Sequence, residues 1–270
     1  MPVLDERLFK SPAVALQQAK NAVVKMSRRA ARNVNLSAPL LLKMDEDVVS
    51  AVNVRENLID RMEVEISNYL IKMTDQELGD DESHAVTELL NFVTECERIG
   101  DYAVNIMEKS EELYEKEASF SDHAKEELKL LTGAMERVLD LTNDAFENND
   151  VALARQVEPL EEVIDELRSE IKTRQIDRLR DGFSTMEMGF IFTDLLTDLE
   201  RVADHCSNIA VCLIQADNDE YERHSYLNSL KEEDNQQFRE QFEEYGKEYA
   251  LPARVKGTPK VDMRARMTAG

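Results

Sequence analysis

The sequence predicts an all-α protein of two tandem three-helix bundles, and three observations carry that prediction. Of its 270 residues only eight are glycine and six proline, tryptophan is absent and 42% are apolar. That leaves too little turn chemistry for a β-sandwich and enough apolar surface for a real core. Apolar residues recur at helical spacing over long segments bounded by capping residues, and the chain repeats itself at an offset of about a hundred residues.

After an N-terminal extension over 1–11, Ser11-Pro12 is a cap followed by proline at the first helical position. Val14, Ala15, Ala19, Ala22, Val23 and Met26 then mark a first helix reaching the low forties, where Pro39 kinks it or ends it. A second helix from Asp45 to Met73 carries Val48, Val52, Ile59, Met62, Ile66 and Leu70. The polar stretch Thr74 to Ser83, with Gly79, separates it from a third, Asp81 to Lys116. Ala118-Ser-Phe-Ser-Asp122 is a loop ending in a cap, and the fourth helix it opens stops at Asn148-Asn149-Asp150. A fifth runs from Val151 to Arg180, closed by Asp181-Gly182, and a sixth lasts to Asp217. One more polar helix is expected within 218–250, and a disordered tail over 251–270.

Six long helices with short connections pack as antiparallel neighbours. Glu56, Ile59, Asp60, Glu65 and Ile66 correspond to Glu161, Ile164, Asp165, Glu170 and Ile171 at an offset of 105. Thr94, Glu97, Arg98, Asp101, Asn105 and Ile106 match Thr197, Glu200, Arg201, Asp204, Asn208 and Ile209 at an offset of 103. A two-residue change in a turn reconciles the offsets, giving bundles over 12–117 and 118–217.

The net charge of −23 argues against a nucleic-acid-binding surface, which needs clustered Lys and Arg to release counterions, so no nucleic-acid partner is expected. The charge is uneven. Residues 1–43 hold eight basic side chains against Asp5 and Glu6, an excess of six that leaves −29 on the remainder. A basic amphipathic start on an acidic body pairs with the acidic helices or lies near anionic lipid, and pairing is the favoured reading. Cys96, Cys206 and Cys212 sit in apolar helical patterns without framework spacing, as expected of reduced thiols in a cytoplasmic protein. No run approaches the roughly 20 apolar residues of a membrane span, and no signal-peptide pattern opens the chain.

Each repeat holds two Glu-x-x-x-Asp pairs: Glu56/Asp60 and Glu97/Asp101, then Glu161/Asp165 and Glu200/Asp204. At i, i+4 both carboxylates leave one helical face, so two such helices side by side present four carboxylates to a shared cation. The repulsion is relieved by a metal, by arginine or by water. A single pair proves nothing in a chain one-fifth acidic, but recurrence at equivalent places, extended by Asn105 and Asn208 as auxiliary ligands, favours a metal site over a solvated face. Oxygen ligands suit hard cations such as Mg²⁺, Ca²⁺, Mn²⁺ or Fe³⁺, and the lack of a Cys/His cluster argues against structural zinc. Four histidines without paired spacing, His205 among them, read as surface residues. The chain has no P-loop, nucleophile elbow, dinucleotide fingerprint or Glu-x-x-His di-iron motif, so an enzyme is not expected; the rival to a metal-dependent regulator is a metal-free helical adaptor.

The strings Glu97-Arg-Ile-Gly-Asp101-Tyr-Ala-Val-Asn105-Ile and Glu200-Arg-Val-Ala-Asp204-His-Cys-Ser-Asn208-Ile resemble the paired signature of the PhoU family, over most of residues 12–217. The resemblance implies two three-helix bundles, and metal clusters (iron, manganese, magnesium or zinc) at the four pairs, more firmly at Glu97/Asp101 and Glu200/Asp204 than at Glu56/Asp60 and Glu161/Asp165. It also implies regulation of phosphate uptake by acting on a membrane phosphate transporter and a sensor histidine kinase, at the inner face of the plasma membrane. Apart from the resemblance, an acidic bundle with exposed apolar residues could form a homodimer. The segments Leu4 to Leu16 and His224 to Leu251 resemble sequences flanking the PhoU-like region of bacterial sodium/phosphate cotransporters. That implies a transporter partner in cis.

Overall fold

The computed structural model describes residues 4–217 and 236–254. A 3-10 turn, Glu6–Lys10, leads into α1 (Pro12–Leu40), α2 (Glu46–Met73), α3 (Asp80–Glu115), α4 (Asp122–Asn148), the one-turn α5 (Val151–Ala154), α6 (Val157–Arg180), α7 (Met186–Asp217) and α8 (Gln236–Glu248). No strand occurs among the described residues.

Local chemistry sets most of these limits. Asp45 Oδ1 accepts from the backbone N–H groups of Asp47 and Val48, Glu82 Oε2 from Gly79 and Ser121 Oγ from Ala124, so α2, α3 and α4 each open with at least one orphan donor satisfied by a side chain. Asn149 and Gly182 take up left-handed conformations (φ 51° and 79°) where α4 and α6 stop. Pro39 lies in the last turn of α1 and ends it. The helix expected over Val151–Arg180 is broken instead at Arg155 and Gln156, because Pro159 has no N–H to return to the Arg155 carbonyl and its ring crowds that oxygen.

Helices α1, α2 and α3 pack on one another, as do α4, α6 and α7, and the two sets meet through α3 against α7 and α1 against α4. Nearly all buried apolar residues form one continuous cluster across both sets. Fully buried Ala15, Ala19, Ala22 and Ala30 let α1 lie close to α3. Across the junction the rings of Phe92 and Phe146 are 4.5 Å apart, and Ser27 Oγ donates to Asn143 Oδ1 at 2.5 Å. Burial pushes the Cys96 and Cys206 thiols up to about 12, which makes them inert packing groups.

Helix α8 supplies the expected polar helix over 236–248 and docks on α6, burying Tyr245 and Tyr249; the rest of that expectation, 218–235, lies outside the described residues. Residues 251–254, expected to begin a disordered tail, run against α6: the Pro252 carbonyl accepts from Arg174 at 2.8 Å and Arg254 donates to Glu170 at 2.8 and 2.9 Å. The remainder of the tail, 255–270, is outside the described residues. Among those residues no helix is long and apolar enough to cross a membrane.

Candidate functional site

Helices α2 and α3 run side by side, so the period of the Glu-x-x-x-Asp pairs brings Glu56, Asp60 and Asp101 to one cleft of about 280 Å³, lined also by Arg98, Tyr102, Val104 and Asn105. Glu56 lies deepest. Its Oε2 accepts a long hydrogen bond from Asn33 Nδ2 (3.4 Å), while Glu56 Oε1 and Asn33 Oδ1 are buried with no hydrogen-bond partner among the described residues. Burial, then the charges of Asp60 and Asp101, push the Glu56 carboxyl up to about 7. Its approach to α3 depends on Gly100: a Cβ there would sit 3.0 Å from Oε2 and 3.3 Å from Oε1. Glu97 flanks the cleft, its carboxyl raised by burial and by Asp101, with Arg98 3.7 Å away and Glu63 adding a further negative charge.

In the second repeat burial, then the charges of Glu158, Glu162, Asp204 and Asp165, push the Glu161 carboxyl up to about 8. Glu158, Glu161 and Glu162 each offer an oxygen within 4.8 Å of the others, and Ser207 Oγ donates to Glu158 Oε2 at 2.5 Å. Arginines reach the other carboxylates. Arg168 meets Glu200 at 2.5 Å and Asp165 at 3.7 Å, and Arg201 meets Asp204 at 3.0 Å.

The family model described as PhoU domain matches residues 23–110 and 128–213. The chain belongs to the PhoU family. The phosphate-specific transport system accessory protein PhoU homolog 1 of Thermotoga maritima is 30% identical over 192 residues, covering 70% of this chain and 82% of that protein. A homolog from Clostridium acetobutylicum is 22% identical, covering 76% and 92%. Crystal structures of PhoU from Pseudomonas aeruginosa and Streptococcus pneumoniae superpose with TM-scores of 0.71 and 0.68 at 20% and 16% identity, covering 76% and 78% of this chain and 97% and 98% of theirs. At that identity they show the shared all-helical fold.

Within this PhoU fold the two clusters are not copies. Glu63 of the first repeat is replaced at the equivalent position by Arg168, while Glu158 and Glu162 stand where the first repeat has Asn53 and Asn57. Negative charge is therefore displaced toward the start of α6, a difference the motif spacing hides but a comparison of the positions between the motifs would have found.

Asn105 and Asn208 bind elsewhere than toward a shared ligand. Asn208 Nδ2 donates to Glu95 Oε2 on α3 at 3.0 Å, and Asn105, which borders the first cleft, faces Asp198 on α7 and partly offsets the burial that raises its carboxyl. His205 is not a surface residue: its side chain is 16% exposed, Nδ1 lies 2.6 Å from Glu95 Oε2, and its ring stacks on Tyr102 with centroids 5.6 Å apart. Sequence reading missed this because a histidine paired across helices has no spacing signal along the chain. The favoured pairing of the basic N-terminal region is met at Arg28, which reaches Asp144 at 2.7 Å and Glu147 at 2.6 Å on α4.

Proposed function

We propose that this chain is a non-enzymatic, metal-dependent regulator of phosphate uptake that docks on a membrane phosphate transporter at the inner face of the plasma membrane. The transporter role is supported by membership of the PhoU family and by relatives named as phosphate-specific transport system accessory proteins. The metal role rests on one observation above the rest: Glu56 Oε1 and Asn33 Oδ1, two acceptor oxygens, are buried without donors among the described residues, beside Asp60 and Asp101. Such a set is costly unless a proton or a hard cation satisfies it.

In this reading Glu56, Asp60, Glu97 and Asp101 hold the cation of the first unit, 12–117. Glu161, Asp165, Glu200 and Asp204, joined by Glu158 and Glu162, serve the second, 118–217. A bound cation would supply positive charge that keeps these carboxylates ionised together and ties α2 to α3 and α6 to α7. Oxygen donors fit iron, manganese or magnesium; zinc is the weaker fit, lacking Cys or His beside them. The rigidified bundle then binds the transporter's cytoplasmic elements and biases its open and closed states. A sodium/phosphate symporter in cis is the partner the flanking segments favour, and a sensor kinase or a second copy the further ones.

The metal-free adaptor has its own support in the second repeat, where Arg168 and Arg201 already neutralise Glu200 and Asp204. Elemental analysis of untagged protein separates the readings. Stoichiometric metal lost stepwise in Glu97→Ala/Asp101→Ala and Glu200→Ala/Asp204→Ala supports the regulator. No metal, together with a melting temperature unmoved by added Mn²⁺, Mg²⁺ or iron, leaves the adaptor.

A further inference from the structure

On a chain of net charge −23, Lys25, Arg28, Arg29 and Arg32 of α1 and Arg55 of α2 line one recess of about 400 Å³, with Val24 and a single acid, Glu147. Arg28 is neutralised by Asp144 and Glu147. Among the described residues Lys25, Arg29, Arg32 and Arg55 have no acidic partner within ion-pair distance. Arg29 Nη1 folds back onto the Lys25 carbonyl at 3.0 Å. Arg55 is the telling member, since its Nη1 is buried with no hydrogen-bond partner among the described residues. A buried guanidinium donor left unpaired costs free energy that water or an anion must offset, and like charges gathered here repel unless a counter-charge sits among them.

We propose that this recess is an anion site for a phosphate-type oxyanion. A carboxylate brings two oxygens and one charge, which a single arginine fork satisfies. A phosphate brings up to four acceptor directions and nearly two charges, and so can engage several of these donors at once. At roughly 30 Å³ per water molecule, the recess holds a tetrahedral oxyanion with part of its hydration shell. The site needs no metal and uses none of the carboxylates assigned to one, so it stands or falls apart from the metal-dependent reading. It also explains why the basic charge of the N-terminal region is only partly cancelled by α4: the unpaired arginines keep their donors for a ligand.

The probes are inorganic phosphate and vesicles, applied to full-length protein stripped with chelator so that no anion binds through a metal. Calorimetric titration with phosphate, chloride at equal ionic strength serving as the control, should show saturable binding that falls about tenfold or more in Arg29→Gln/Arg55→Gln. It should fall by a smaller factor in the exposed variant Arg32→Gln, which keeps the test meaningful should the double variant melt early, and hold in Glu97→Ala/Asp101→Ala. If phosphate gives no heat but vesicles of phosphatidylglycerol in phosphatidylcholine bind, and pure phosphatidylcholine does not, the oxyanion is a lipid headgroup, with the same variants losing it. Binding of neither probe, or binding that both arginine variants retain, overturns the proposal.

Discussion

Asn208 on α7 donates to Glu95 on α3 at 3.0 Å, and the same carboxylate oxygen lies 2.6 Å from His205 Nδ1. The repeat generates a counterpart: Asn105 on α3 faces Asp198 on α7 and opposes the rise of its carboxyl, and Tyr102 stacks on His205, each member standing 103 residues from its equivalent. The two halves are thus joined face to face by polar groups at duplicated positions around an apolar centre. Substituting Glu95→Ala leaves a half-buried imidazole and amide without their acceptor. We expect a loss of about 1–3 kcal/mol in urea unfolding. A double-mutant cycle with Asn208→Ala should give a coupling well above zero, and additive effects would show that the bond carries no stability.

A second expectation concerns pH in protein freed of metal. Burial first, then neighbouring charge, raises Glu161 to about 8, Glu56 to about 7 and Asp198 to about 6, the last partly opposed by Lys109. Above the ordinary carboxylate range the unfolded chain has released protons that the folded protein still holds. Raising the pH from 5 to 8 therefore removes protons from the folded state and lowers its stability. The melting temperature should fall across that window, and Glu56→Gln/Glu161→Gln should flatten the fall. A melting temperature that climbs with pH in both proteins contradicts the assignment.

Gly100→Ala separates fold from site. The added Cβ meets the end of the flexible Glu56 side chain at 3.0 Å and Ile59 Cδ1 at 3.4 Å, so the carboxylate can swing away. Exchange of glycine for alanine within a helix favours folding by about 1 kcal/mol, which offsets the crowding. Stability should change by less than about 1 kcal/mol while metal retention in the first repeat drops, measured by unfolding and elemental analysis on the same preparations. The second repeat already carries Ala203 there.

The contrast between Glu127 and Arg254 tests where charge matters. Glu127, with a side chain 3% exposed, pairs with Arg178 at 2.8 Å and Arg174 at 3.4 Å. Glu127→Ala leaves Arg178 with no carboxylate at ion-pair distance among the described residues, while Arg174 keeps Glu170 and the Pro252 carbonyl, and should cost about 3 kcal/mol. Arg254 lies at the surface against Glu170 and Asp177, and Arg254→Ala should leave the unfolding midpoint nearly unchanged in physiological salt. A comparable loss in both would mean that residues 251–254 hold α8 on α6 more firmly than their exposure implies.

What could be read in advance follows from the range of the interactions. Helix limits at Asp45, Gly79, Ser121 and Gly182 are set by residues within one turn, and the duplicated carboxylates are set by period and offset, so both were legible. Pro159 also carried the break at 155–156 openly, although the apolar period on either side masks it. The pairing of His205 with Glu95 joins residues 110 positions apart, and no local pattern records which side chains meet across two helices. The recess of Arg29, Arg32 and Arg55 was half legible: its α1 members form a visible basic run, whereas Arg55 sits alone among acids in the sequence.

The replacement of Glu63 by Arg168 supplies the last prediction. In the first repeat Glu63 adds negative charge beside Glu97; in the second, Arg168 holds Glu200 at 2.5 Å and competes with any cation for it. The two sites should then differ in affinity, the first retaining metal longer under dialysis against chelator. Arg168→Ala removes the competitor and should raise retention in the second site, while Glu63→Arg should lower it in the first, each by about tenfold or more. The Glu97→Ala/Asp101→Ala and Glu200→Ala/Asp204→Ala backgrounds make each site observable alone. If Arg168→Ala instead weakens the second site, the arginine is a structural partner that orders Glu200 for its ligand, and the metal of that repeat must rest on Glu158, Glu161 and Glu162.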